Sequence, residues 1–238
     1  MRVLVTRPLD DSLETAARLQ ALGHESVIAP LLDIRYRDGG EILLDGVQAV
    51  LATSANGIRA LIRRTERRDV AVFAVGRQSA AEARAAGFSD VRSAEGGSAA
   101  LAAATAEWAD PKAGALLHIS GTDVAGDLAG TLEAAGFTVR RETLYEAVAA
   151  EGLPGAAQAA LRAGRVDVVL LFSGRSAKAF AEGIAAAGLK RTCKTLVAIA
   201  ISEVAASPLA GLDFRDLRIP GQPDQDAMLA MIAAVTPP

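Results

Sequence analysis

Two serines that follow apolar runs are the residues of this sequence best placed to do chemistry. Residues 47–64 (VQAVLATSANGIRALIRR) begin with an apolar run that ends before Ser54. Residues 166–183 (VDVVLLFSGRSAKAFAEG) begin with a similar run that ends before Ser173. Each serine opens an amphipathic segment, so its hydroxyl can cap a helix while the free amides of the first turn receive an anion. Thr53 adds a second hydroxyl. Because the module occurs twice, we expect two similar domains that grip one ligand from two sides.

Other candidates for anion binding also follow strand-like runs. The turn VGRQSA contains Gly76, where the backbone can approach a ligand closely, and Ser79, which adds a hydroxyl. Arg7, in VTRP, carries a guanidinium that can bind a carboxylate through two parallel hydrogen bonds. An exposed arginine before proline can equally be a surface residue, and such glycine turns are common in α/β proteins. Arg175 and Lys178 are weaker candidates of the same type.

Residues that bind metals or act as nucleophiles are scarce. The chain has one cysteine and two histidines, which excludes an internal disulfide and argues against a thiolate or imidazole metal site. We therefore expect no metal. Several remaining residues of interest are interpreted as core or surface residues: Trp108, His118, Cys193, Met228 and Met231.

Composition and charge exclude several classes of protein. With 51% hydrophobic and 22% charged residues, the chain is typical of a globular protein, and its apolar runs fall short of the ~18 residues that cross a bilayer. A net charge of -3 argues against a nucleic-acid partner, because phosphate binding needs a concentrated basic face. The N-terminal MRVLVTRP lacks the features of a signal peptide, so we expect a cytoplasmic protein without membrane contact.

The elements that position the candidate residues alternate regularly. Strand-like apolar runs alternate with alanine-rich helical segments almost throughout, which is the pattern of parallel sheets covered on both faces. One arrangement, repeat A, begins at VLVTRP and again at LLHISG. A second, repeat B, begins at AVLATS and again at VVLLFS. The order along the chain is A, B, A, B.

Two ways of pairing these repeats are open from periodicity alone. Adjacent pairing gives domains of 1–110 and 115–238, whereas crossed pairing puts the middle B and A in one domain and the outer repeats in the other. Polar stretches near 33–41 and 144–155 are natural places for the chain to pass between domains.

Five stretches form a recognisable set when they are taken in order: VLVTRP, VLATSANGIRAL, VFAVGRQSA, LEAAGFTVRRETLYEAV and VVLLFSGRSAKAF. Together they resemble the uroporphyrinogen-III synthase family, and the match covers essentially the whole chain. The resemblance implies two similar, doubly wound α/β domains with parallel sheets, joined by a two-stranded linker, the first domain being discontinuous. It selects the crossed pairing, with domain 1 at 1–36 plus 147–238 and domain 2 inserted at 38–145.

The resemblance also implies a reaction. The linear tetrapyrrole hydroxymethylbilane is cyclised to uroporphyrinogen III, with inversion of ring D and loss of water, by a lyase of tetrapyrrole biosynthesis that serves products such as haem. The family's chemistry passes through an azafulvene cation and a spiro-pyrrolenine, and no cofactor is implied. Such an enzyme works chiefly by holding a flexible polycarboxylate in a folded shape. We expect a monomer whose partner is this small molecule; transient contact with the bilane-forming enzyme stays open.

Individual residues take roles from the same resemblance. Tyr145 lies at the position of the family's tyrosine beside the linker, and its phenol, with an ordinary pKa of about 10, can donate a proton to the departing hydroxyl. The alternative is a strand-end tyrosine that packs its ring and leaves its hydroxyl in water. The family places its strand-to-helix ends at the substrate, which gives this set of substrate-binding residues: Arg7, Thr53, Ser54, Gly76, Ser79, Gly121, Thr122, Ser173 and Ser202.

Four positions depart from the family pattern. In AIAISEVAAS, Ser202 replaces a glycine and Ala205 a hydroxyl residue. In LLHISGTDVAGDL, Ser120 precedes the glycine, and this residue and Ala125 stand where many relatives have arginines. The substrate carboxylates are then expected to bind backbone amides, Thr122 or other arginines, or to be held less tightly.

Proteins of other classes share this organisation. A non-catalytic, cytoplasmic two-domain protein would bind a small anion between its lobes without turning it over. A nucleotide-sugar transferase with paired Rossmann-like domains is disfavoured, because no GxGxxG motif is followed by an acidic residue at the expected distance.

Overall fold

The structure, a computed structural model, describes residues 1–124 and 126–236. Its strands, numbered along the chain, are β1 (Arg2–Val5), β2 (Glu25–Ile28), β3 (Leu32–Tyr36), β4 (Val47–Ala52), β5 (Ala71–Ala74), β6 (Val91–Ser93), β7 (Ala115–Gly121), β8 (Val139–Ala149), β9 (Val168–Leu171), β10 (Val197–Ala200) and β11 (Asp216–Arg218).

Helices follow most of these strands. They are α1 (Leu9–Ala21), α2 (Ala55–Leu61), α3 (Arg77–Ala85), α4 (Ser98–Trp108), α5 (Leu128–Ala134), α6 (Gly155–Arg162), α7 (Gly174–Ala186), α8 (Glu203–Ala206) and α9 (Gln225–Ile232), with 3-10 helices at Lys190–Thr195 and Ser207–Leu209. No helix in the described part of the chain is both long enough and apolar enough to pass through a membrane.

The chain forms two compact units, each with its own sheet. Unit 1 contains Met1–Asp33 and Val148–Pro238, and unit 2 contains Ile34–Ala147. The chain passes from one unit to the other within β3 and β8, which are neighbours in the sheet of unit 2. Hydrogen bonds from the Arg37 amide to the Leu144 carbonyl and from the Ala150 amide to the Leu31 carbonyl show that these strands run antiparallel.

Unit 1 holds a parallel sheet with the spatial order β11-β10-β9-β1-β2. Alternate residues of each strand face opposite sides. On β1, Leu4 packs with one cluster that contains Phe180 of α7, while Val3 and Val5 pack with another that contains Met228 of α9. Helices therefore bury both faces of this sheet, which explains why β9 is apolar at every position.

Unit 2 has a six-stranded sheet with the order β3-β8-β7-β4-β5-β6. Its β8-β7-β4-β5-β6 portion is parallel and matches β2-β1-β9-β10-β11 of unit 1 strand for strand. The pairing of β1 with β9, and of β4 with β7, joins each repeat A to a repeat B from the other half of the chain. The predicted fold of two parallel α/β domains is confirmed, while the residue bounds drawn for the domains stay predictions.

Helix α7 illustrates how the local sequence produces these elements. Ser173 caps its start, and its apolar residues Ala177, Phe180 and Ile184 recur at helical spacing and are fully buried. Gly188 follows the helix end in the left-handed region at φ 68°, where a side chain would be strained. The predicted amphipathic segment after the repeated serine is therefore a helix packed on its sheet.

Candidate functional site

The three serines predicted at helix starts all act as N-caps. Ser54 accepts a hydrogen bond from the Asn56 amide at 3.2 Å, and Ser173 accepts one from the Ser176 amide at 3.1 Å. Ser202 does the same for α8, at 3.3 Å from its amide partner. The backbone φ angles of the three serines lie between -159° and -161°, so the junctions are alike in both units. Ser202 therefore forms a side-chain cap that a glycine, the residue of the family pattern, could not form.

The candidate residues of unit 2 gather at one edge of its sheet. Ala52, the last residue of β4, lies opposite Ala74, the last residue of β5, while β7 continues two residues past Ile119, its residue paired with Ala52, to Gly121. Residues at these strand ends or just beyond them share the carboxyl edge: Thr53, Ser54, Gly76, Gly121 and Thr122. Open α/β sheets bind their ligands at this edge.

Unit 1 has a corresponding edge. Leu170 of β9 lies opposite Val5 of β1 and Ile199 of β10. Arg7, Ser173 and Ser202 follow these three strands and therefore lie beyond their carboxyl ends.

Two candidates in unit 2 leave polar groups or space available. The half-buried Thr53 hydroxyl has no hydrogen-bond partner in the described part of the chain. Gly76 is extended at φ -165°, and a Cβ added there would meet no atom within 4 Å. The chain itself thus gives no packing reason for this glycine. Ser79, one turn into α3, is buried with 5% exposure.

Arg7 is buried, so the surface interpretation is wrong. Its side chain is 7% exposed and pairs with the Asp11 carboxylate at 3.3 Å. A further hydrogen bond joins it to Oε1 of Gln225 at 2.8 Å, and the guanidinium lies 4.4 Å from the ring centroid of Phe172. A substrate carboxylate would therefore have to compete with a partner that the fold supplies.

Tyr145 is also more buried than the sequence indicated. Strand β8 continues four residues beyond it to Ala149, and the residue is 9% exposed, so it is not a strand-end tyrosine. Its ring lies over Gly121, where an added Cβ would come within 2.9 Å of the Tyr145 Cε2 atom. The Tyr145 carbonyl accepts a hydrogen bond from the Thr122 amide at 3.0 Å. The structure thus brings these three predicted residues into direct contact.

A cavity of about 420 Å³ lies beside this cluster, within unit 2. Thr122, His118 and Arg141 line it, together with residues at the start of α5. His118 is 1% exposed, and neither ring nitrogen has a hydrogen-bond partner among the residues that the structure describes. Burial, with a smaller contribution from the Arg141 charge, lowers the pKa of His118 to about 4. This histidine is buried as interpreted, but it also lines a cavity.

One position that departs from the family pattern contacts a residue of this cavity. Ser120 is buried, and its hydroxyl accepts a hydrogen bond from Nε of Arg141 at 3.2 Å. The serine thereby orients an arginine that comes from the neighbouring strand β8. Ala125, the other position where relatives carry arginine, lies outside the described residues. Ala205 is buried at 1% exposure behind the α8 cap.

His118 and Arg141 are the site residues that sequence reasoning missed. They lie opposite each other in the β7–β8 register, but that register is known only once the strands are paired. Alternation along β7 does place His118 and Ser120 on one face, which was the only available signal. The described residues contain no cluster of three or more histidine, cysteine or acidic side chains suited to a metal ion.

Comparisons with known proteins agree with this fold. The family model described as Uroporphyrinogen-III synthase HemD matches residues 14–230. The solved uroporphyrinogen-III synthetase of Helicobacter pylori is 15% identical, with a TM-score of 0.64 over 99% of this chain and 100% of that one. A mutant uroporphyrinogen III synthase of Thermus thermophilus is 17% identical, with a TM-score of 0.55 over 98% of this chain and 96% of that one. At such identities the structures show a shared fold. No curated protein sequence gives a significant match.

Proposed function

The chain belongs to the uroporphyrinogen-III synthase family, and we propose that it cyclises hydroxymethylbilane to uroporphyrinogen III with inversion of ring D and loss of water. The observation that carries the proposal is the family match over residues 14–230. The reaction is that of a lyase without a bound cofactor.

Binding of a polycarboxylate is supported by the carboxyl edge of each sheet. Ser54 and Ser173 cap α2 and α7 there by accepting hydrogen bonds from the Asn56 and Ser176 amides, and the positive ends of these helix dipoles favour an anion. The Thr53 hydroxyl and the open space at Gly76 offer further contacts. In this reaction the uncatalysed closure gives the isomer without inversion, so an enzyme has to control orientation more than acid-base chemistry.

Tyr145 is the proposed proton donor. Its phenol would give a proton to the hydroxyl of the bilane, the carbon–oxygen bond would break, and water would leave behind an azafulvene cation. When the macrocycle closes, the pyrrole ring that has been attacked loses a proton and regains its aromaticity, and this proton returns to the Tyr145 phenolate, which restores the balance. The contact of the Tyr145 ring with Gly121 supports this role, because it fixes the ring at the carboxyl edge.

Arg7 is less suited to bind a substrate carboxylate directly than the sequence indicated. Its buried pair with Asp11 favours positioning of the turn between β1 and α1 over direct capture of substrate. We therefore propose that Arg7 acts on the substrate through this turn.

The direct test uses the full chain and freshly prepared hydroxymethylbilane. We expect the type III isomer to form faster than the type I isomer forms in buffer, with the two separated chromatographically. Formation of type I alone, at the rate seen without protein, would overturn the proposal. Saturable binding without turnover would instead support the alternative, a two-domain protein that only binds a small anion.

Localisation and assembly follow as separate proposals. We propose a cytoplasmic monomer that acts on this linear tetrapyrrole alone, and light scattering of the purified chain measures its mass in solution. Contact with the bilane-forming enzyme would appear as a mass increase when the two proteins are mixed.

A further inference from the structure

The cavity of unit 2 contains a buried group whose hydrogen bonds the chain does not satisfy. Both ring nitrogens of His118 are buried and lack partners among the described residues. A buried polar atom without a partner destabilises the folded protein. His118 lines the cavity, but both of its ring nitrogens are inaccessible in this conformation, so a ligand there supplies the missing partner only when the imidazole ring rotates toward the cavity. Its volume of about 420 Å³ falls in the range of ~300–1,000 Å³ typical of small-molecule sites.

Arg141 supplies the charge in this cavity. Its Nε is held by Ser120, and its two terminal amino groups have no acceptor within the described ranges. Arg141 is exposed, and its hydrogen bond to Ser120 orients the guanidinium so that the two terminal amino groups can donate to a planar anion. A neutral imidazole that has turned toward the cavity adds one N–H donor, and the Thr122 hydroxyl, which lies 3.5 Å from Oδ2 of Asp123, lies at the same cavity.

Asp127 is the one acidic residue among the described residues that line this cavity, and its side chain already has a partner. Oδ1 of Asp127 accepts a hydrogen bond from the Gly130 amide at 2.9 Å and caps α5. The negative charge of Asp127 still repels an anion, so we expect a carboxylate to bind in this cavity with weak or moderate affinity.

We propose that this cavity is a carboxylate-binding subsite, in which Arg141 binds the carboxylate oxygens and the His118 ring rotates toward the ligand to donate its imidazole N–H. The carboxylate belongs either to an acid side chain of the substrate or to a separate small carboxylic acid. For the first source the inference rests on the proposed function. The second source does not require it.

The first experiment follows propionate binding through the histidine ring signals in NMR spectra of the full chain. The protein has two histidines, and His24 lies in unit 1, so its signal is an internal control. We expect a saturable shift of the His118 signal with none for His24. No saturable His118 shift, up to the highest propionate concentration at which the protein stays soluble, would overturn the subsite.

Variants that are expected to weaken or to tighten propionate binding make this test more specific. Arg141→Gln should weaken propionate binding about tenfold or more, since it removes a charge-assisted hydrogen bond, and Arg141→Lys should recover part of the loss. Asp127→Asn should tighten binding, because it removes a like charge while keeping the capping oxygen. Arg140→Gln removes the same charge from the adjacent position of β8 and should change nothing. Equal effects of Arg140→Gln and Arg141→Gln would overturn the assignment, because only bulk charge would then matter.

Kinetics with hydroxymethylbilane distinguish the two sources. If the substrate supplies the carboxylate, Arg141→Gln should raise KM about tenfold with little change in kcat. Propionate binding without any change in KM would assign the cavity to a separate acid. An unaltered KM together with an unmoved His118 signal would overturn the inference while the reaction itself stands. If the wild-type chain makes no type III isomer, the proposed function is wrong. The propionate titration would then still show whether the cavity binds a carboxylate.

Discussion

Arg7 and Asp11 form an ion pair that is buried in unit 1, with each side chain only 7% exposed and the nitrogen and oxygen 3.3 Å apart. The two residues are four apart across the start of α1, so the pair ties the end of β1 to the first turn of the helix. The guanidinium also contacts the Phe172 ring, which follows β9. A residue that the sequence offers as a receptor for substrate is therefore part of the framework of the sheet edge.

Replacing Arg7 should mainly destabilise the protein. Arg7→Leu leaves the Asp11 carboxylate buried without its partner, which typically costs about 3–5 kcal/mol of unfolding free energy. The double variant Arg7→Leu/Asp11→Leu should recover much of that loss, because no unpaired charge remains. Urea unfolding of the wild type and both variants measures this. A stable Arg7→Leu variant with a raised KM would instead identify Arg7 as a direct substrate ligand.

Removing the Tyr145 hydroxyl should slow catalysis. Tyr145→Phe keeps the ring over Gly121 and deletes the proposed proton donor, so kcat should fall by about 10²–10⁴-fold, the usual contribution of a general acid. Tyr36→Phe, which changes the other tyrosine of the chain, is the matched control and should leave kcat unaltered. Turnover of bilane by Tyr145→Phe at the wild-type rate would reduce Tyr145 to a packing residue.

The fold was predictable because its signals are local. Buried parallel strands read as short apolar runs, and the repeated serines mark helix starts, so both sheets and the capping roles of Ser54 and Ser173 follow from sequence. The crossed pairing of repeats required family resemblance, since nothing local links β1 to β9, whose paired residues are about 165 positions apart.

The site was less predictable because burial depends on distant partners. Arg7 is buried by Phe172 and Gln225, which lie far away along the chain, and Tyr145 is buried because β8 extends beyond it to pair with β3. The cavity at His118 arises from a cross-strand register with Arg141 that no spacing in the sequence reveals.

Two glycines should respond oppositely to the same substitution. A Cβ at Gly121 would lie 2.9 Å from the Tyr145 ring, so Gly121→Ala should cost about 1–3 kcal/mol of stability through overpacking. Gly76→Ala places its Cβ in open space on extended backbone and should leave stability unchanged or slightly higher. Thermal unfolding compares the two variants.

The variant Gly76→Ala also tests whether the substrate contacts Gly76. If the backbone of Gly76 approaches the substrate, Gly76→Ala should raise KM for hydroxymethylbilane although the protein is as stable as the wild type. Normal kinetics for Gly76→Ala would show that the space beside this glycine is not used by the substrate.

Stability should fall in mild acid because of His118. In the unfolded chain this histidine has its ordinary pKa of 6.5, whereas burial lowers the pKa to about 4 in the folded protein. Between these values the unfolded state binds a proton that the folded state does not, so the free energy of unfolding drops as pH falls from about 6.5 to about 4. The full difference corresponds to roughly 3 kcal/mol, and above pH 7 the effect vanishes since both states are neutral.

The variant His118→Leu isolates this contribution. It has no titrating ring and fills the same apolar strand face, so its unfolding free energy should change less than that of the wild type over this pH window, in buffers free of carboxylates. Carboxylates elsewhere in the protein titrate in both proteins and cancel in the comparison. Parallel pH curves for the two proteins would show that the His118 ring is protonated equally in the folded and unfolded states, and the buried, neutral imidazole described above would then be wrong.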